Sequence, residues 1–273
     1  MSGAERIAEA FESARASGRS AALMPYLMAG YPDIETSKEV ARAYVTGGAD
    51  LIELGIPFSD PLADGPVIHA AGVTALNAGT NVHSALEVAR AITDVPVVVM
   101  CYANIVLSRG LERFSDMLVA AGASGLIVPD LPMEEAPAAL SACDRRGVAL
   151  VPLVAPTTPD ARLAQIGARA RGFMYTVSLT GTTGERPSAD GSLPELVARA
   201  KAHTQVPVAV GFGISTPEQA AGAARAGADG VIVGSRLVRA VGEAAAADGD
   251  ESVGAAVRTL VDSFSEALRA RSG

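Results

Sequence analysis

The sequence predicts an α/β protein, a single (β/α)8 barrel of the TIM type over residues 1–273 with extra helices at both ends. Three observations point there. Eight short apolar, β-branched runs recur along the 273 residues. Helical patterns rich in Ala, Leu, Arg and Glu alternate with them. The runs are nearly continuous rather than alternating apolar and polar. Continuous apolar runs are the mark of parallel strands covered by helices. Strict alternation implies right-handed βαβ crossovers, and eight such units suit a barrel of about 250 residues. A doubly wound sheet is the alternative; it wants a Gly-rich turn after its first strand, which "MAGYPD" does not supply.

Taken in order, residues 3–17 form an amphipathic helix that carries acids, and "ALMPYL" (22–27) is the first strand. Helical patterns at 35–47, 82–92, 110–121, 133–145, 159–168, 193–203, 217–226 and 235–244 separate the remaining runs. Those runs are "DLIEL" (50–54), "PVVVMC" (96–101), "GLIVP" (125–129), "VALVPL" (148–153), "GFMYTV" (172–177), "PVAVG" (207–211) and "GVIVG" (230–234). "GGAD" (47–50), "AGAS" (121–124) and "AGADG" (226–230) read as helix ends leading into the next strand. The stretch 242–252 reads as a loose connection before a last helix at 251–270.

The 49% hydrophobic content supplies a core, and the net charge of −8 with no basic stripe argues against nucleic acid. An anionic small molecule remains possible, because backbone dipoles hold phosphate on an acidic protein. Cys101 and Cys143 show neither metal nor disulfide spacing and read as reduced thiols. The N-terminus has no apolar signal segment, and no apolar run is long enough to span a bilayer, so a soluble cytoplasmic protein is expected. The only lysines, Lys38 and Lys201, lie in helical patterns, which leaves a Schiff-base mechanism without an obvious lysine. His69, His83 and His203 are scattered, so no metal site is expected.

Residues at the C-terminal ends of barrel strands face the active-site mouth. In "ELGIPFSDPLADGP" (53–66) that rule selects Glu53. A carboxylate there is desolvated and its pKa rises toward neutrality, which suits proton transfer. Asp64 follows a loop stiffened by Pro57 and Pro61, long enough to return over the mouth toward Glu53. Asp60 and Asp64 could equally be turn-formers, since Ser-Asp-Pro and Asp-Gly both favour turns. Glycines at "GFGIS" (211–215) and "VGSR" (233–236) lie after strands seven and eight, the usual phosphate site of this fold, and nominate Gly213, Gly234 and Ser235. The loop from 178, rich in Gly, Ser and Thr, reads as a lid over residues 178–192, with Gly184 as a further backbone donor.

"LIELGIPFSDPLADGPVI" resembles the signature of tryptophan synthase α subunits. "PYLMAGYPD", "MCYANIVLSRG", "LIVPDLPMEE", "YTVSLTGTTG", "GFGISTPEQ" and "GVIVGSRLV" have counterparts in the same order, so the resemblance covers nearly the whole chain. It implies retro-aldol cleavage of indole-3-glycerol phosphate to indole and glyceraldehyde 3-phosphate, without cofactor or metal. It implies Glu53 as acid and base and Asp64 as the second catalytic carboxylate, with Tyr175 and Thr183 nearby. It places Gly184, Gly213, Gly234 and Ser235 on the phosphate. Tyr26, Tyr102, Phe212, Ile127 and Leu153 would line the indole pocket. The loop of Pro57 and Asp60 would face a β subunit in an α2β2 complex. Four departures stand out: Met28 for a usual Thr, His69 for Gln, Thr182 for Val, and the charged pair Glu185-Arg186 in the lid. A non-catalytic phosphate-sensing partner of a β subunit is the other class of function; intact Glu53 and Asp64 favour the lyase.

Overall fold

The computed structural model describes residues 1–177, 193–211, 213–247 and 252–269. The expected lid at 178–192, with Thr182, Thr183, Gly184 and the Glu185-Arg186 pair, lies outside the described residues, as does Phe212.

Among the described residues, nine parallel strands form one sheet: β1 (Ala22–Met28), β2 (Ile52–Gly55), β3 (Val97–Met100), β4 (Gly125–Ile127), β5 (Ala149–Val151), β6 (Leu153–Val154), β7 (Met174–Val177), β8 (Val208–Gly211) and β9 (Gly230–Val233). Their order is β5-β4-β3-β2-β1-β9-β8-β7-β6. The two outermost strands of that order are separated in the chain by Pro152 alone. The run read as one strand at 148–153 therefore pairs with β4 through its first half and with β7 through its second. This joins the two edges of the sheet, and eight expected strands become nine because a proline cannot donate to the ladder. Its carbonyl still accepts from Tyr175 N at 3.0 Å.

The helices are α1 (Gly3–Ala16), α2 (Ile34–Thr46), α3 (Pro66–Asn77), α4 (Val82–Arg90), α5 (Ala103–Leu107), α6 (Leu111–Ala120), α7 (Ala136–Arg146), α8 (Asp160–Gly167), α9 (Leu193–Ala202), α10 (Pro217–Arg225), α11 (Ser235–Ala246) and α12 (Val253–Ala267). Two of them correct the sequence reading, which assigned no helix to 66–77 or 103–107. Asp-Gly-Pro looked like the end of a loop, yet Pro66 occupies the first turn of α3, where a missing N–H costs nothing. With five residues, α5 is too short to show a period. The supposed connection at 242–252 is helical as far as Ala246.

The glycines of the three recurring helix ends, Gly48, Gly122 and Gly227, all adopt positive φ. The aspartates that follow two of them fix strand register. Asp50 Oδ2 accepts from Leu23 N at 2.8 Å, and Asp229 Oδ2 accepts from Val208 N at 2.9 Å.

Side chains alternate across the pleat, so parity decides what faces the barrel axis. Ile52 and Leu54 pack outward beneath the helices, whereas Leu51 belongs to the interior cluster. Glu53, two residues on from Leu51, therefore points inward. The same parity turns Met24, Val98, Ile127, Tyr175, Ala209 and Ile232 inside. Ile7 and Phe11 of α1 join this cluster beside Ala22, Ala149 and Phe173 at the strand starts, so α1 closes the bottom of the barrel. The approach is tight: a β carbon at Gly3 would sit 1.9 Å from the Ser124 carbonyl oxygen. With the bottom sealed by apolar packing, access to the interior is left at the C-terminal ends of the strands.

Candidate active site

Glu53 is the second residue of β2 rather than its last, and it is 2% exposed. It lies in register with Tyr26 of β1 and Val98 of β3. Glu53 Oε2 and the Tyr26 hydroxyl are both buried, and neither has a hydrogen-bond partner among the described residues. No cation pairs with Glu53 among those residues either. Burial and then the nearby Asp64 carboxylate push the Glu53 pKa up to about 8. A buried carboxyl held neutral near pH 7 is a proton donor in waiting.

Glycine makes room for the aromatic groups around it. A β carbon at Gly55 would meet the Tyr26 hydroxyl at 1.9 Å, and one at Gly211 would meet the Tyr175 hydroxyl at 2.4 Å. Tyr175 is buried, in register with Leu153 and Ala209 on the neighbouring strands. Its phenol is raised well above its usual pKa by burial and then by Glu53, so it stays protonated. Ile127 is fully buried in the interior cluster, and half-buried Leu153 packs against it.

Asp64 reaches the same mouth from the loop after β2. Its Oδ1 accepts from the Tyr102 hydroxyl at 2.9 Å, and that hydroxyl accepts from Ala63 N at 3.0 Å. The Phe58 ring stacks on Tyr102 with centroids 5.3 Å apart. Burial raises the Asp64 pKa; the Tyr102 hydrogen bond and the His69 charge oppose the rise. The two carboxylates thus sit in different surroundings, one fully buried and without a partner, the other half-buried and hydrogen-bonded. In the same loop Asp60 is exposed and Pro57 is buried.

α3 completes the wall. Its Ile68, Ala71 and Ala75 pack on Tyr26 and Met28 of β1 and on Val238 of α11. Met28 is buried in this cluster, and His69 is exposed on the first turn of α3. Sequence reasoning missed this helix and also the role of Asp130, whose Oδ1 accepts from Ala103 N at 2.8 Å and fixes the start of α5 beside Tyr102. A carboxylate three residues beyond β4 was the signal available for it.

At the end of β9, beside Tyr26 of β1, Gly234 is the N-cap of α11 with no side-chain cap, and Ser235 is exposed at the first helical position. Gly213 has φ +77°, a conformation that favours glycine. Uncapped N–H groups at the start of a helix suit an anion. Among the described residues no group of three or more His, Cys, Asp or Glu could hold a metal ion.

The family model described as "Tryptophan synthase alpha chain" matches residues 11–269. The chain belongs to the tryptophan synthase alpha chain family. It is 50% identical over 239 residues to the tryptophan synthase alpha chain of Methanosarcina mazei, covering 87% of each protein. It is likewise 50% identical over 242 residues to that of Prochlorococcus marinus, covering 88% of each. Among solved structures, a Mycobacterium tuberculosis tryptophan synthase matches with TM-score 0.86 at 41% identity, over 97% of this chain and 98% of that one. The alpha subunit from Legionella pneumophila matches with TM-score 0.86 at 37% identity, over 98% of each chain. The fold is therefore the TIM barrel of tryptophan synthase alpha subunits, a family of carbon–carbon lyases that cleave indole-3-glycerol phosphate in tryptophan biosynthesis.

Proposed function

We propose that this tryptophan synthase alpha chain cleaves indole-3-glycerol phosphate with Glu53 as acid and then base and Asp64 as the charge that stabilises the indole nitrogen. The observation that carries this reading is the buried, unpartnered Glu53 carboxyl, held neutral up to about pH 8.

The carbon–carbon bond cannot break until indole C3 becomes tetrahedral. Neutral Glu53 delivers its proton to C3, and positive charge develops at the indole nitrogen. The Asp64 carboxylate accepts a hydrogen bond from N1–H and offsets that charge. Glu53, now ionised, takes the proton of the 3′-hydroxyl. The bond breaks, the aldehyde of glyceraldehyde 3-phosphate forms, and its electron pair restores the indole. One group acts twice, so its pKa has to lie near the working pH. Tyr26, Tyr102, Tyr175, Ile127 and Leu153 wall the space for the indole, with Phe212 and Thr183 assigned there by resemblance alone.

The phosphate falls to the N–H groups of Gly213, Gly234 and Ser235, with Gly184 as the fourth donor. Replacement at Gly213 confounds binding with backbone strain, because its φ is positive. Gly234 is the cleaner probe, since a β carbon there would have its nearest neighbour, Tyr26 Cβ, at 3.8 Å. Gly234→Val is expected to raise KM at least roughly tenfold while the thermal melt stays near wild type, the loss of about one charge-assisted hydrogen bond. Steady-state kinetics checks it, and an unchanged KM would remove Gly234 from the phosphate site.

The same reading pairs the chain with a β subunit through the loop of Pro57 and Asp60 in an α2β2 complex. It takes residues 1–273 as one domain working in the cytoplasm. Among the described residues no helix is long and apolar enough to cross a membrane. Indole release by the purified chain, with and without added β subunit, tests the whole reading. Turnover that rises when the β subunit is added is expected. No release in either case would reduce the chain to a phosphate-sensing partner.

A further inference from the structure

We propose that Tyr102 is the positioning residue that sets Asp64 for the reaction, by occupying one carboxylate oxygen and leaving the other for the indole N–H. The inference rests on the role given to Asp64 above and adds a residue that acts through it.

The geometry is specific. A phenol carries one proton. Tyr102 donates it to Asp64 Oδ1 and uses a lone pair for the Ala63 N–H, so one hydroxyl clasps two consecutive residues of the loop after β2. Asp64 Oδ2 has no hydrogen bond among the described residues. Burial and the neighbouring carboxylates keep the phenol protonated, so the direction of donation does not reverse. The donor is itself anchored on two sides. Phe58 stacks on its ring, and Asp130 holds the adjoining Ala103 N–H from the loop after β4.

Without the clasp, a carboxylate on a loop stiffened at only a few points can rotate and offer either oxygen, or neither, to the substrate. With it, the carboxylate is held in one orientation, and Oδ2, which has no hydrogen bond among the described residues, is the oxygen offered to the indole N–H. The clasp also opposes the rise that burial imposes on the Asp64 pKa. The groups that face Asp64 are His69 on α3, Glu53 on β2, Tyr26 on β1 and Tyr102 at the head of α5. Of the donors among these, Tyr102 is the one with a hydrogen bond to the carboxylate.

The test is Tyr102→Phe, which keeps the ring and its stacking on Phe58 and removes both hydrogen bonds. Indole release is measured on the complex with the β subunit against substrate concentration. The Asp64 carboxyl is titrated by carbon NMR on the same labelled protein, its signal assigned by its loss in Asp64→Asn. A fall in kcat of roughly 10- to 100-fold is expected, the size of one hydrogen bond to a charged group. KM should stay within about threefold, because the ring that lines the pocket is retained. The Asp64 titration should move upward, and in an Asp64→Asn background the same substitution should lower kcat by no more than about threefold. A kcat within about twofold of wild type, a change in KM alone, or an unmoved Asp64 titration would overturn the proposal. Failure of the underlying reading looks different: Asp64→Asn itself would then turn over like wild type. A slow Asp64→Asn beside a fast Tyr102→Phe removes the role of Tyr102 and leaves that of Asp64.

Discussion

Glu53→Gln is expected to abolish indole release while the barrel stays folded. Glutamine keeps the volume and the inward orientation set by strand parity, and it can neither donate nor take a proton at neutral pH. Loss of general acid–base action costs about 10²–10⁴ in rate for one transfer, and Glu53 would act in two, so the loss should reach the upper end or beyond. Stability should move the other way. The Glu53 carboxyl is raised from 4.5 to about 8 in the folded protein. A group with a raised folded-state pKa favours the folded state fully below its unfolded value, and that contribution is lost as pH rises through the folded one. Wild type should therefore lose stability between about pH 4.5 and 8, on the order of a few kcal/mol from this group. Glu53→Gln removes that dependence and should melt higher than wild type above pH 8. Turnover at saturating substrate beside melts at pH 5, 7 and 9 decides it. A mutant that melts lower at every pH yet turns over normally would show that Glu53 is structural.

Asp64→Asn should be the next most severe change. The amide oxygen can still accept the Tyr102 proton, so the clasp survives, but the charge disappears and an NH2 group that cannot accept the indole N–H stands where Oδ2 was. In the proposed mechanism that charge faces the place where positive charge develops, inside a mouth walled by the buried Tyr26, Tyr102 and Tyr175. There a fixed charge acts more strongly than in water. A loss of roughly 10²–10³ in kcat is expected, in line with removal of one electrostatic stabiliser from a preorganised site. Binding should suffer less, because the ground-state indole nitrogen is neutral. Single-turnover cleavage of indole-3-glycerol phosphate separates the two effects. An equal loss of affinity and no loss of rate would make Asp64 a binding group and return the electrostatic role to the helix ends and tyrosines.

The two mutants differ in pH response as well. In the proposed cycle Glu53 starts protonated and Asp64 ionised. Activity should thus fall on the alkaline side near pH 8, through Glu53, and on the acid side through Asp64. Burial moves that acid limb upward from an aspartate's ordinary value, with the Tyr102 hydrogen bond opposing the move. In Glu53→Asp the alkaline limb should shift, because a shorter side chain sits at a different depth, whereas a Gly234 variant should leave both limbs in place.

The sequence by itself determined the parallel barrel, because continuous apolar runs alternating with helical patterns fit few other arrangements. It also determined which segments bring chemistry to the mouth, because strand ends are visible as the points where apolar runs meet Gly, Pro and charge. Glu53, Gly213 and Gly234 stood out as candidates on that ground, whereas Asp64, out in the loop, was singled out from a turn-former only by the family resemblance. The glycine-marked helix ends were legible too, since positive φ at Gly48, Gly122 and Gly227 leaves few substitutes. The tertiary structure alone decided the rest. Which parity faces the axis is invisible in a run that is apolar on both sides, so Glu53 pointing inward beside Tyr26 is a fact of register rather than of composition. The junction of the two sheet edges at Pro152 depends on β4 and β7 meeting opposite halves of one segment, residues far apart in the chain. The short helix α5 has no period to read, and the clasp of Tyr102 on Asp64 spans 38 positions. Most of all, the proton affinity of Glu53 comes from exclusion of water and from one carboxylate on another loop. Those are properties of the space the fold encloses, and no local pattern of residues encodes them.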